Sequence, residues 1–428
     1  MSSEWPTAPL GEITVNFDTR RKPVKEADRK PGPYPYYGAS GVVDSVDGYL
    51  FDGEYLLIAE DGENLRTRQT PIAFMATGKF WVNNHAHIVT GNERARTRYL
   101  QYALLGSDIS GHLTGAVMPK LTQGNLNKIE VPCPPLNIQD NIVSVLGALD
   151  DRITLLRETN ATLEAIAQAL FKSWFVDFDP VRAKAEGRQP EGMDATTAAL
   201  FPDSFEESEL GLVPKGWRVV SVSDVAEVVK GKSYTSKELA SEHHTALVTL
   251  KSFERGGGFR LDGFKPYTGS YKSNQVVYPG DLIIAYTDVT QAAELIGKPA
   301  IVVGVEEYQT LVASLDVGIV RPDKEKVSRQ YLYGLFRTEN FQSHTFSHTS
   351  GTTVLHLAKD GVGSYRFVCP PREVMQSFSL IAEALSGRRQ SNIDQMRTLT
   401  QLRDTLLPRL ISGQLRLPEA EALVEEAL

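Results

Sequence analysis

Apolar residues recur along two stretches of the chain at steps of three and four. In the first, Val145, Leu149, Ile153, Leu156, Asn160, Leu163, Ala167, Leu170 and Trp174 keep that rhythm, the spacing of a helix that packs along a seam. One member is polar. Asn160 either sets the register of a pairing or faces solvent from a less perfect seam. In the second stretch, Leu385, Asn392 or Ile393, Met396, Leu399, Leu402, Leu406 and Leu410 give a looser counterpart in which Arg389 and Arg403 intrude. A proline stop precedes each helix, at Pro132-Cys133-Pro134-Pro135 and at Cys369-Pro370-Pro371. The first helix runs for close to forty residues, from Ile138 to Phe175, and at 1.5 Å per residue makes a rod of roughly 55–60 Å.

The pattern is one text written twice. Cys133 and Cys369, Leu149 and Leu385, Arg152 and Arg388, Thr162-Leu163 and Thr398-Leu399, and Leu170 and Leu406 are all separated by 236 residues. An ungapped offset held over about forty residues marks an internal repeat. It extends upstream, where Ser107, His112 and Gly115 answer Ser343, His348 and Gly351, and each half opens on a tryptophan, Trp5 or Trp217. Strand-like apolar runs at 54–59 and 281–286 each follow a glycine, Gly53 or Gly280, which suits a turn. The expected fold is α+β. Two β-rich globules, 1–136 and 214–371, are each followed by a long helix, 137–178 and 372–413, with a linker at 179–213 and a C-terminal tail at 414–428. Two imperfect seams of equal length predict that the helices pair as an antiparallel coiled coil with pseudo-twofold symmetry.

Composition adds bounds. With 428 residues, 41% hydrophobic and 23% charged, the chain can bury two cores of ordinary domain size. Two cysteines cannot build a disulfide framework or a four-ligand zinc site. The start, Met1-Ser2-Ser3-Glu4-Trp5-Pro6, lacks a basic region and an apolar stretch, and no run of 18 apolar residues occurs, so neither secretion nor membrane spanning is expected and a cytoplasmic location is.

The net charge of −8 changes meaning when divided by region. Residues 1–136 sum to −1, 137–175 to −2, 176–215 to −5, 216–370 to +1 and 371–428 to −1. The acid concentrates in the linker, which reads as a solvated connector. Both globules are near neutral and carry local basic clusters: Arg20-Arg21-Lys22, Arg66 with Arg68, Lys230 with Lys232, and Lys251 with Arg255. Tyrosines and glycines interleave them, a mixture suited to phosphate contacts beside stacking or groove contacts. Globules held at the ends of the predicted rod could reach successive faces of a duplex whose turn is about 34 Å. The expected target is therefore bipartite, with an unread spacer.

Other candidate chemistry has plainer explanations. Gly231-Lys232-Ser233 is similar to a phosphate-binding loop, but Ala226 stands where the first glycine is needed. His85 and His87 alternate on an apparent strand without further metal ligands, which favours packed or hydrogen-bonded histidines. Pro322-Asp323-Lys324-Glu325-Lys326 reads as a charged turn before a helix rather than a nuclease cluster.

The motifs together resemble the specificity subunits of type I restriction-modification enzymes over essentially the whole chain. The resemblance is carried by Thr114-Gly115-Ala116-Val117-Met118-Pro119-Lys120-Leu121, by Ile129-Glu130-Val131-Pro132-Cys133-Pro134-Pro135-Leu136 with Gln139, and by Leu149-Asp150-Asp151-Arg152-Ile153. Ala169-Leu170-Phe171-Lys172-Ser173-Trp174-Phe175-Val176-Asp177-Phe178-Asp179-Pro180 and Leu402-Arg403-Asp404-Thr405-Leu406-Leu407-Pro408-Arg409-Leu410-Ile411-Ser412-Gly413 complete it. The second half departs at Ser350-Gly351-Thr352-Thr353-Val354-Leu355-His356-Leu357 and lacks the glutamine after its proline pair.

The resemblance implies two target recognition domains, no catalytic residues and no cofactor in this chain. It also implies double-stranded DNA as target, two methyltransferase subunits that use S-adenosylmethionine, and restriction subunits that use ATP and Mg. A modification-only or phage-defence assembly, or a freestanding DNA-binding adaptor, is the alternative. Basic and polar residues in the predicted loops make the expected DNA contacts. These are Arg20, Arg21, Lys22, Arg66, Arg68 and Lys120 in the first domain, and Lys232, Tyr234, Lys251, Arg255, Thr287, Thr290, Gln291 and His356 in the second. Phe171, Trp174, Phe175 and Phe178 form an aromatic cluster that either docks a partner subunit or caps the neighbouring globule.

Overall fold

In the computed structural model, which describes residues 5–261, 263–290 and 292–427, the chain forms two compact units, Met1–Arg157 with Ile393–Leu428 and Glu158–Asn392. The two long helices are present, Leu136–Phe175 and Arg372–Ser412. Each supplies one part to each unit.

Unit 1 is organised by a six-stranded sheet in the order Thr14–Asn16, Ala86–Gly91, Phe51–Ala59, Ala73–Val82, Pro31–Gly38, Gly41–Val46. The central strand Phe51–Ala59 is apolar at successive positions because both of its faces are covered. Leu57 packs with Phe51, Phe80, Val82 and Ile88 on one side. Leu56 and Ile58 join the main core on the other, with Tyr99, Leu100 and Leu104 of the helix Thr97–Leu105 and with Leu149, Ile153, Leu399, Leu406 and Leu410 of the long helices. Residues 414–428, expected as a tail, instead contain the helix Leu417–Ala427, whose Ala420 and Val424 lie in that same core. The reason is an apolar stripe, Leu415, Ala420 and Val424, that acidic composition hides.

Unit 2 carries two four-stranded sheets. One runs Ala226–Lys230, Val317–Pro322, Leu282–Ala285, Pro299–Ile301, and the other Lys265–Pro266, Thr245–Val248, Thr310–Ala313, Val276–Val277. A three-stranded sheet places Leu355–Leu357 between Thr287–Asp288 and Thr349–Ser350. The segment 179–213 is folded, which corrects its reading as a solvated connector. It forms the helices Asp179–Ala185 and Ala195–Ala199 and a hairpin of Phe205–Ser208 with Gly211–Pro214. Its carboxylates face water while Val181 and Phe201 are buried against Trp174 and Trp217 in the core of unit 2.

The globules close on the helices alike. Thr7–Pro9 pairs with Glu130–Pro132, and Arg218–Ser221 pairs with Arg366–Cys369. A buried tyrosine in each then donates its hydroxyl to the carbonyl just before the cysteine, Tyr99 to Pro132 and Tyr331 to Val368, both at 2.8 Å. Gln139, fully buried, accepts the Arg96 N–H at 2.8 Å and donates to the carbonyls of Arg94 and Pro134. The second copy has Met375 at that position, whose sulfur accepts the Ser328 N–H at 3.1 Å. A thioether thus takes the accepting role of the missing amide.

Along the helices the partner number falls as the first helix advances, so the pairing is antiparallel. Asp150 meets Arg403 at 2.9 Å in unit 1, and in unit 2 Asn160 meets Asn392 at 2.8 Å and Glu164 meets Arg389. Arg389 and Arg403, which interrupt the apolar pattern, are cross-helix ion pairs. Asn392 is buried, and Asn160 faces it across the seam. Asn392→Ala leaves the Asn160 side-chain carbonyl without its partner and is expected to cost about 1–3 kcal/mol. Asn160→Leu combined with Asn392→Leu is expected to raise the urea midpoint above wild type, because two apolar side chains replace a polar pair. A double variant less stable than Asn392→Ala contradicts this account.

Candidate nucleic-acid interface

In unit 1 the candidate residues surround the end of the central strand, where Glu60 follows Ala59. Arg21 is bound there as a counter-ion rather than free for a ligand. Its guanidinium meets Glu60 at 2.7 Å and Asp18 at 3.4 Å and donates to the Ala86 carbonyl at 2.7 Å. Buried His87 completes the group, with Nδ1 2.5 Å from the Asp18 carboxylate and Nε2 2.8 Å from the Leu121 carbonyl. The ring is thus held between a carboxylate and a backbone carbonyl. Burial alone would raise the Asp18 carboxyl, but the hydrogen bond and charge of His87, the Ile88 N–H and Arg21 outweigh it and hold it below its ordinary value. Glu60 behaves alike: burial pushes up, and Arg21, His87 and Lys120 together pull it down further.

Arg66 and Arg68 brace loops. Arg66 donates to the carbonyls of Gly115 at 2.8 Å and Ala116 at 3.3 Å, and Arg68 donates to that of Ser107 at 2.7 Å. Burial lowers the Arg68 pKa. Lys120 stays half exposed, 3.3 Å from Glu60. Arg20 is exposed with its guanidinium 5.0 Å from the Phe51 ring centre, and Lys22 is exposed while its carbonyl accepts the Trp81 indole N–H. Arg21 and Arg68 are thus removed from the DNA-contact set because the fold spends their donors internally. Arg20, Lys22 and Lys120 keep side chains that reach solvent.

In unit 2 three of the candidates converge. Thr287 and His356 are cross-strand partners, with Thr287 Oγ1 3.5 Å from His356 Nδ1, and Thr290 follows on the next loop. His356 is exposed, whereas Thr287 is buried and cannot present its hydroxyl to a ligand. Thr290 is committed to Asp288, donating through N–H and Oγ1 at 2.6 Å each. The buried Asp288 carboxylate, which burial would raise, also accepts the N–H groups of Leu295 and Ile296, and these bonds hold its pKa down. Arg255 is three-quarters exposed and 3.3 Å from Glu294, which lies on the loop that carries Thr290. Lys251 is exposed. Lys232 and Tyr234 lie elsewhere, beside Ser314 and Lys265, with Lys265 Nζ donating to the Tyr234 hydroxyl at 3.0 Å. The backbone of Lys232 bonds to Ala313 as a strand does, which accounts for the phosphate-loop-like text. Gln291 lies outside the described residues.

The aromatic cluster belongs to a core. Phe171, Trp174 and Phe175 are buried among Tyr331, Phe378, Phe201 and Trp217, and half-buried Phe178 stands 5.7 Å from the Trp217 ring. Their expected role as a docking surface is corrected: they cap the globule of unit 2. Residue type could not decide this, because the covering rings come from positions 201, 217, 331 and 378.

Sequence reasoning passed over the tips of two turns. Val117 is 95% exposed and Met118 64%, between Thr114 and Lys120, which are backbone partners. Ser350 and His356 are partners across the matching turn. The repeat offset marks both, since Gly115 and Gly351 are 236 residues apart.

Comparison with known proteins adds a family to this geometry. The family profile described as "Type I restriction modification DNA specificity domain" matches residues 2–165. A Haemophilus influenzae protein named as a type I restriction enzyme specificity subunit is 42% identical over 34% of this chain and 37% of its own length. The MjaIX specificity subunit of Methanocaldococcus jannaschii, a type I restriction enzyme, is 25% identical over 85% of this chain and 80% of its own. A crystal structure of the type I restriction-modification S subunit from M. genitalium shares the fold over 96% of each chain, with a TM-score of 0.55 and 13% identity.

Proposed function

We propose that the chain is a specificity subunit of a type I restriction-modification enzyme and that it binds one bipartite DNA sequence, each unit reading one half-site. The carrying observation is the duplication: each half has its own sheet core, its own closing strand pair and its own glycine turn at one sequence offset. Two readers in one polypeptide suit two short sequences with unread base pairs between them. The near-neutral globules, −1 over residues 1–136 and +1 over 216–370, fit a binder that selects by base and shape contacts as well as by phosphate attraction.

In this reading the chain contributes recognition rather than catalysis. Two methyltransferase subunits supply S-adenosylmethionine chemistry on adenine, and restriction subunits supply ATP- and Mg-dependent translocation and cleavage, all in the cytoplasm. Among the described residues no helix is long and apolar enough to cross a membrane.

The test is to produce the chain with its methyltransferase partner and to sequence the host DNA for methylated adenine by single-molecule methods. The expected result is a single split motif, two short half-sites around a fixed gap. A stable complex that leaves the DNA unmethylated, and a chain that selects no sequence in a binding assay, would overturn the reading.

A further inference from the structure

Each unit contains one short turn whose backbone is specified far more tightly than its side chains. In unit 1 Thr114 and Lys120 exchange both backbone hydrogen bonds, at 2.8 and 2.7 Å. In unit 2 Ser350 pairs with His356, the residues 236 positions on. Gly115 and Gly351 both have left-handed φ angles, +87° and +102°. At each, an added Cβ would stand 2.1 Å from the carbonyl oxygen three residues ahead, that of Met118 or Val354. Only glycine permits such a close return. In unit 1 Arg66 adds a brace by holding two carbonyls of the turn.

Inside this shared frame the side chains diverge completely. Unit 1 has Ala116-Val117-Met118-Pro119 where unit 2 has Thr352-Thr353-Val354-Leu355. Val117 and Met118 are turned to water, and Thr352 and Thr353 are exposed as well. An exposed apolar pair on a braced turn adds nothing to the core and costs solvation, so its use lies in contact with something else. Lys120 at the foot of the first turn and His356 at the foot of the second add a polar, half-exposed or exposed neighbour.

We propose that these two turns are the base-contacting tips of the two units, with Val117 and Met118 determining part of one half-site and Thr352 and Thr353 part of the other. The proposal rests on the reading of the chain as a bipartite DNA binder. A constant frame places the tip at one depth in the groove, and the changed side chains select different bases. The partner of an apolar tip on a major-groove base edge is the thymine methyl group, whereas threonine can hydrogen-bond to a base or touch that methyl. The half-site read by unit 1 therefore contains an A·T pair at the contacted step.

The experiment selects bound duplexes from a random library with the full-length chain, comparing wild type with Val117→Ser/Met118→Ser and with Thr352→Ala/Thr353→Ala. These residues are exposed, and unchanged thermal unfolding verifies that each variant is folded. The expected outcome is a split motif in which each variant alters one half-site and leaves the other intact. Affinity for the wild-type sequence should fall by about tenfold or more, with the salt slope unchanged. Uracil in place of thymine in the first half-site should weaken wild type and not the serine variant. A wild-type split motif that both variants reproduce at wild-type affinity overturns the assignment of the turns. A wild-type chain that selects no motif brings down the DNA-binding reading itself, which is a different result.

Discussion

Trp174→Ala is expected to destabilise unit 2 by about 3–5 kcal/mol, the cost of emptying a large aromatic site in a packed core. Trp174 is 5% exposed, and its ring centre lies 5.2 Å from that of Phe201 and 6.2 Å from that of Phe378. Phe175 beside it reaches Tyr331 at 4.9 Å. These rings come from the first long helix, the acidic segment, the helix Arg329–Phe336 and the second long helix, so the cluster ties together elements distant in sequence. The removed side chain leaves a void that none of these can fill without moving the others. Hydrogen exchange read over unit 2, together with urea unfolding, measures the loss. A variant as stable as wild type, but unable to hold a methyltransferase subunit, would restore the surface role that burial argues against.

Arg21→Ala is expected to cost unit 1 about 3–5 kcal/mol, because it leaves the carboxylates of Asp18 and Glu60 partly uncompensated in a desolvated site. The guanidinium is only 13% exposed, as is Glu60, and Asp18 is 6% exposed. The loss should depend on pH in a defined sense. Both carboxyls have folded-state pKa values below their ordinary 3.8 and 4.5, so folding favours their ionised forms. That stability is fully present above about 4.5 and disappears as the pH falls below 3.8 through the depressed folded values. Removing Arg21 raises both folded values, so the variant loses less further stability on acidification than wild type does. Unfolding midpoints at pH 7 and pH 3 check both points, with Lys22→Ala, an exposed neighbour, as the control expected to stay within about 0.5 kcal/mol. Equal stability of Arg21→Ala and wild type at pH 7 would return Arg21 to the set of free surface cations.

The differences between expectation and structure share one form. Arg21 sits in a run of three basic residues, which read alike until Glu60, thirty-nine residues on, is found beside one of them. Likewise Arg389 looked like a flaw in a seam until Glu164 met it from the other helix. In the acidic segment 179–213 charge dominated the composition, yet a few apolar side chains at separated positions were enough to fold it onto unit 2. Gln139 and Met375 differ in chemistry and still accept an N–H from equivalent places, Arg96 and Ser328. A comparison by residue type treats that as a departure, whereas the hydrogen-bond geometry treats it as the same junction.

Periodicity, proline stops and an offset of 236 residues are properties of neighbouring positions and of self-comparison. They determined the two long helices, the duplication, the antiparallel pairing and the family to which the chain is similar. Which arginine is a counter-ion, which aromatic is core, and which apolar pair is left in water depend on contacts between residues tens to hundreds of positions apart. Only the tertiary structure decided these, because a charged or aromatic side chain takes its role from the groups that desolvate it, and local sequence does not name those groups.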